Sequence, residues 1–145
     1  VILRSDGSKE EAGGSTRPTT NNRMELFAAI MALRKIYPGS SCELFTDSEY
    51  LRKGITAWIN KWRQHGFRRG RLSPKPVMNA DLWRILDDLS LARRVSWRRV
   101  PGHMGNPWNE RCDEMAQKYL RNHGNSDGEP DSLPVPDLAT HGVFL

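Results

Sequence analysis

Apolar residues fall either at helical spacing or in short β-prone runs, and the two kinds of segment alternate along the chain. Val1-Ile2-Leu3-Arg4 reads as a strand, Asp6-Gly7-Ser8 as a turn, and Ala12 to Thr16 as the returning strand. Thr19-Thr20-Asn21-Asn22 offers capping side chains for a helical run to about Ile36, which Pro38-Gly39 stops. Cys42-Glu43-Leu44-Phe45-Thr46 is β-prone and runs into Asp47-Ser48. A helix follows from about Ser48 to Asn60, with Leu51, Ile55, Trp58, Ile59 and Trp62 spaced along it. Beyond the break at Pro74-Lys75-Pro76, Asn79 to Leu89 reads as a helix with Leu82, Ile85, Leu86 and Leu89 inward. Val95 to Val100 reads as a strand with exposed arginines, and Trp108 to about Arg121 as the last helix. This alternation predicts an α/β architecture.

Three carboxylates interrupt the pattern. Asp47 closes a strand, at the end where ligands gather in open α/β sheets. Either Asp47 or Ser48 can equally cap the helix that begins near Glu49. Glu25 heads the stripe Glu25, Ala29, Ala32, Ile36, and Asp113 heads the stripe Asp113, Ala116, Leu120, with Asn109 one turn before it. Carboxylates gathered at a core's edge repel one another and lose solvation, so a cation that neutralises them is the natural companion. Oxygen donors without a Cys or His cluster favour Mg²⁺, or Mn²⁺, over zinc. His103, in the glycine-rich loop Pro101-Gly102-His103-Met104-Gly105, is placed as a mobile proton carrier.

Charge adds a partner. The segment 122–145 holds Asp127, Glu129, Asp131 and Asp137 with no Lys or Arg, leaving 22 basic and 13 acidic residues, a net of +9, on the rest. Lys61, Arg63, Arg68, Arg69, Arg71 and Lys75 crowd one stretch without an acid, interleaved with Trp62 and Phe67. Cations beside aromatic faces suit a nucleic acid, meeting phosphates and packing on sugars or bases. A hard-metal carboxylate site next to such a surface implies phosphodiester chemistry, in which two ions could activate water and stabilise the leaving oxygen. The 145 residues suit one domain, here 1–121, followed by an acidic, Pro- and Gly-rich tail over 122–145 expected to be disordered. No apolar run approaches the roughly 20 residues that span a bilayer, and no basic-then-apolar leader opens the chain. Two cysteines, Cys42 and Cys112, without disulfide or zinc spacing suit a reducing cytosol, and nothing marks an oligomer. The expectation is a cytoplasmic monomer without membrane contact.

The segments Thr19-Thr20-Asn21-Asn22-Arg23-Met24-Glu25-Leu26, Thr46-Asp47-Ser48, Gly54-Ile55-Thr56-Ala57-Trp58-Ile59, Asn79-Ala80-Asp81-Leu82-Trp83, Gly102-His103 and Asn109-Glu110-Arg111-Cys112-Asp113-Glu114 occur in one order. In that order they resemble bacterial type 1 ribonuclease H over residues 1–121. The resemblance implies a five-stranded mixed sheet flanked by helices and endonucleolytic cleavage of the RNA strand of RNA–DNA hybrids, leaving 5′-phosphate and 3′-hydroxyl ends. It implies Glu25, Asp47 and Asp113 as metal ligands, His103 as the mobile histidine, and Thr20, Asn21, Asn22, Asn79 and Trp58 as substrate contacts. Trp62 and Asn109 are counted with the substrate contacts. The 61–75 segment looks like the family's basic protrusion, which grips the DNA strand. The 2′-hydroxyl is the handle by which such a site selects RNA.

The match departs from the family at its start. Val1 corresponds to the second strand, so the expected sheet lacks the family's first strand and the Asp it carries. Asp6, in Ser5-Asp6-Gly7-Ser8, imitates that motif but falls in the hairpin turn, and about 19 residues before Glu25 leave no room for a strand plus a hairpin. Glu49 and Phe67 replace an amide and a tryptophan common in the family. The alternative functions are a fragment that binds hybrids with little cleavage, and a different polynucleotidyl transferase such as an integrase or transposase.

Overall fold

The computed structural model describes residues 1–13, 20–100, 105–122 and 140–144, with backbone alone for 119–122 and 140–144. Its sheet is built around β3 (Ser41–Thr46), whose alternate side chains feed two cores. Cys42 and Leu44 point to one face, where α1 (Asn21–Arg34) packs through Leu26, Ala29, Ile30 and Leu33. Phe45 points to the other, where it joins Trp108, Cys112 and Met115 of α5 (Pro107–Asn122) in packing against the buried Val1 and Val100. This period of two is what lets one strand anchor helices on both faces.

β1 (Ile2–Arg4) turns back through Gly7, whose φ of +82° a side chain would strain, and the Ser8 amide donates to the Asp6 carboxylate at 2.8 Å. Asp6 therefore sits in the hairpin turn, as expected. The returning strand β2 is Lys9–Glu10, not Ala12 to Thr16, because the tight turn restores pairing at once, with Leu3 opposite Lys9. Ala12 and Gly13 lie outside any strand, and 14–19 lie outside the described residues.

β4 (Arg94–Arg99) runs parallel to β3 from Ser41↔Arg94 to Thr46↔Arg99. The helical stretch after β3 comprises α2 (Glu49–Lys53), a π-helical turn (Gly54–Trp58) and α3 (Ile59–Gln64), followed by α4 (Ala80–Leu91). In α4 the wholly buried residues are Trp83 and Leu86, while Ile85 is exposed, contrary to the expected inward face. No described helix is long and apolar enough to cross a membrane.

Among the described residues the sheet nevertheless has five strands, in the order β2-β1-β5-β3-β4. β5 (Thr140–Phe144) comes from the segment expected to be disordered, and it lies antiparallel to β1 and parallel to β3, with Phe144 opposite Phe45. For these five residues the disordered-tail expectation is corrected. Val143 stands opposite both Ile2 of β1 and Leu44 of β3, while Thr140 and Gly142 pair with β1 and Phe144 with β3, which satisfies backbone groups of β1 and β3 that would otherwise form edges. Residues 123–139 of the tail lie outside the described residues. The place expected to be vacant beside β3 is thus filled from the other end of the chain.

Ending the chain at Asn122 removes the strand that joins β1 to β3. An isolated two-stranded ribbon is marginal in water, so the truncated chain should lose hydrogen-exchange protection at β1 and β2 while β3 and β4 retain theirs. Its melting temperature should fall by roughly 10 °C.

Candidate functional site at the carboxyl end of β3

The chain leaves β3 through Thr46-Asp47-Ser48, and the structure settles which residue caps α2. Ser48 does so: its backbone is extended (φ −61°, ψ 107°) and its hydroxyl accepts from the Leu51 amide at 3.1 Å. The Ser48 amide donates to the Thr46 hydroxyl at 3.1 Å, tightening the turn. Asp47 is released from capping, and its side chain is exposed.

The Ser48 hydroxyl has a second role. It donates its proton to Glu25 Oε2. Glu25 sits in the second turn of α1, half-buried, above the buried Ala29, Ala32 and Ile36, as its position at the head of that stripe predicts. One buried serine, the residue that follows Asp47, therefore ties the α1 carboxylate to the start of α2.

Asp113 reaches the same end of the sheet from the opposite face. The inward stripe of α5 is Trp108, Cys112 and Met115, one residue out of step with the expected Asp113, Ala116 and Leu120. Asp113 and Ala116 are exposed, and the Leu120 side chain lies outside the description. Cys112 packs against the buried Val1 and Val100, and Asp113 follows it in the chain. Burial raises the Cys112 thiol pKa, the N-terminal ammonium beside it acts the other way, and the carboxylates of Asp113 and Asp47 raise it, so both acids lie within electrostatic reach of this one side chain. Asn109, one turn earlier, is 4% exposed, and its Nδ2 has no hydrogen-bond partner among the described residues. A buried donor without an acceptor is costly unless a ligand supplies one.

Among the described residues, no three His, Cys, Asp or Glu side chains stand close enough to share a metal ion. Glu25 is linked to Ser48, and Asp47 and Asp113 both act electrostatically on Cys112, so the described acids do not form a closed cage. In kind they fit a hard divalent cation, being carboxylate oxygens without competing thiolate or imidazole. His103 lies outside the described residues.

The expected substrate contacts divide into three places. Thr20, Asn21 and Asn22 surround the start of α1, where the Thr20 hydroxyl accepts from the Arg23 amide at 3.4 Å. Asn79 precedes α4 and is joined to α1 by Arg23, whose Nη1 donates to Asn79 Oδ1 at 3.2 Å and which also clasps Asp81 at 3.0 and 2.6 Å. That guanidinium holds the Asp81 carboxyl below its usual range. Trp58, 36% exposed, lies on the π-helical turn. Trp62 is packed inward, with its ring centroid 5.5 Å from that of Trp58 and 5.3 Å from that of Trp83. Sequence reasoning missed Ser48 as a bridge and Tyr50, Arg23 and Gly54 altogether. The Thr-Asp-Ser run held the signal for Ser48, but no local spacing relates Tyr50 to Asn79.

The basic stretch folds as a loop pinned at its base. Phe67 (φ +59°) and Val77 are buried, and the Val77 amide donates to the Phe67 carbonyl at 2.9 Å. Arg84 lies over the Phe67 ring at 5.6 Å and donates to the Gly66 carbonyl at 2.8 Å. Arg68, Arg69, Arg71 and Lys75 are exposed on the loop. Arg63 is not part of that exposed set in function, because it makes a two-point ion pair, 2.9 and 2.5 Å, with the buried Asp87.

Residues 1–121 match the family model described as RNase H. The chain is 49% identical to a ribonuclease H of Thermosynechococcus vestitus over 136 residues, 92% of this chain and 80% of that protein. It is 43% identical to a ribonuclease H of Paramagnetospirillum magneticum over 120 residues, 83% of this chain and 77% of the relative. A crystal structure of LC9-RNase H1, a type 1 RNase H with the type 2 active-site motif, superposes with a TM-score of 0.61 at 35% identity. That superposition covers 72% of this chain and half of the solved one.

Gly54 opens the π-helical turn because nothing larger fits. A Cβ there would lie 2.0 Å from Trp83 Cη2 and 2.3 Å from Cζ2, and Trp83 is fully buried. Gly54→Ala should cost about 1–3 kcal/mol in a denaturant titration, with altered tryptophan emission as Trp83 is displaced.

Proposed function

The chain belongs to the ribonuclease H family as a type 1 member, and we propose that it cleaves the RNA strand of RNA–DNA hybrids with Asp47 at the centre of its site. The observation that carries this reading is the division of labour at the end of β3. Ser48 takes the capping role and holds Glu25, which leaves Asp47 exposed between α1 and α5. A merely structural Asp-Ser pair has no need to recruit a third side chain from another helix.

The family depends on divalent metal, and Glu25, Asp47 and Asp113 are the residues that would hold it, Mg²⁺ or Mn²⁺ by donor chemistry. When bound, such ions supply activation of the attacking water and stabilisation of the leaving oxygen. The chain's own residues do the rest. Ser48 fixes the direction of the Glu25 carboxylate. His103, on its glycine-rich loop, carries a proton to or from the reacting phosphodiester. Asn109 offers its buried Nδ2 to a backbone oxygen of the substrate.

Recognition extends over one side of the molecule. Thr20, Asn21 and Asn22 around the start of α1, with Asn79 linked to them through Arg23, contact the hybrid at its sugar and phosphate edges, where 2′-hydroxyls distinguish RNA. Trp58 adds an exposed ring. Arg68, Arg69, Arg71 and Lys75 on the pinned loop meet phosphates of the DNA strand, a contact that salt weakens. We place this activity in the cytoplasm, in a monomer.

Cleavage of a labelled hybrid with Mg²⁺ tests the reading. Asp47→Asn should lower kcat/KM by at least about 10²–10³-fold, and His103→Ala should slow turnover by about 10²-fold without abolishing it. Ser48→Ala should lose about 1 kcal/mol of stability with the cap and reduce activity as well. Activity that survives Asp47→Asn refutes the site. Hybrid binding without Mg²⁺-dependent cleavage would instead make the chain a binding module.

A further inference from the structure

Asparagine is among the best helix caps, yet Asn79, at the cap position of α4, makes no capping hydrogen bond. Its backbone is left-handed, φ +58° and ψ 31°, a conformation that costs a side-chain-bearing residue some strain. Both ends of the carboxamide are engaged elsewhere. Oδ1 accepts from Arg23 Nη1 at 3.2 Å, and Nδ2 donates to Tyr50 Oη at 3.1 Å. The orientation is dictated by chemistry, since a guanidinium can only donate and must therefore face the oxygen.

Tyr50 is held as firmly. Its oxygen also accepts from Trp83 Nε1 at 3.0 Å, and an indole N–H likewise can only donate. Its ring leans on Trp58 and Trp83, with centroids 6.1 and 5.6 Å away. Two incoming donors occupy the phenolic oxygen, so the Tyr50 side chain is fixed both in position and in hydrogen-bond polarity. Asn79 keeps one Nδ2 proton uncommitted, at a groove of about 400 Å³ that it lines with Pro76, Val77, Ala80, Asp81 and Arg84.

The geometry points to Tyr50 as a positioning residue for hybrid recognition: through its phenolic oxygen it sets the Asn79 carboxamide so that the remaining Nδ2 proton meets a sugar or phosphate oxygen of the substrate. This assignment rests on the function proposed above and adds to it a residue that does not itself touch the chemistry. Without the phenolic oxygen the amide is held at one end only and must be ordered by the substrate, which weakens binding and leaves the cleavage step alone.

The experiment compares the full chain with Tyr50→Phe, Asn79→Ala and the double variant, measuring kcat and KM on a hybrid with Mg²⁺. Tyr50→Phe should raise KM about 5-fold with kcat unchanged. Asn79→Ala should raise KM at least as much, and the double variant should match Asn79→Ala, because Tyr50 acts only through that side chain. Any loss of stability from the orphaned Trp83 N–H would add to the effect of Asn79→Ala and so cannot imitate this result. An unchanged KM in Tyr50→Phe, or effects that multiply in the double variant, overturns the Tyr50 assignment while the enzyme reading stands. A parent chain that neither binds nor cleaves the hybrid overturns both.

Discussion

The Ser48 hydroxyl holds together two requirements that normally conflict. A helix beginning at a strand end needs an acceptor for its first amides, and an aspartate placed there would usually provide it. Here the next residue caps α2 with its lone pair and gives its proton to Glu25. Asp47 is thereby left to solvent, and α1 is locked to the β3–α2 turn at the same atom. On the opposite face α5 packs Cys112 against Val1 and Val100, and the carboxylates of Asp113 and Asp47 both act on that thiol.

A second constraint runs through Trp83. The buried indole takes the space a Gly54 side chain would need and forces close approach of the π-helical turn. It also packs at a tilt against Trp62, which in turn meets Trp58, and donates to Tyr50, so the geometry of the core is passed to the exposed Trp58 and to Asn79. In the same helix, Asp87 is buried and absorbs Arg63, anchoring α3 beside the base of the basic loop. The charged surface offered to a polyanion is thus smaller than the sequence count suggests, and better placed.

Much of this was legible in the chain itself. The helix of α1, its cap at Thr20, its stop near Pro38 and the inward stripe below Glu25 follow from helical periodicity and local hydrogen bonding, which need no distant partner. The strand ending at Asp47 and the cluster of cations between Lys61 and Lys75 are likewise local, as are the motifs that mark the family. Periodicity was less secure in α5, where polar residues surround a narrow apolar seam. There the inward stripe lies one residue away from the one expected, and packing against Val1 and Val100 selects it.

What tertiary structure decided is which distant groups meet. No spacing rule joins Ser48 to Glu25, Tyr50 to Asn79 or Arg63 to Asp87, since these contacts cross 23, 29 and 24 residues and exist only after helices pack. Nor does local propensity place Thr140–Phe144 between β1 and β3, because its gain comes from backbone pairing on two sides, available only once those strands are already aligned. By itself the sequence determined most of the helices, the strand that ends at Asp47 and the family. The reason is physical: turns, caps and amphipathic faces are set by neighbours in the chain, whereas a site is set by the few side chains that folding brings within a hydrogen bond of one another.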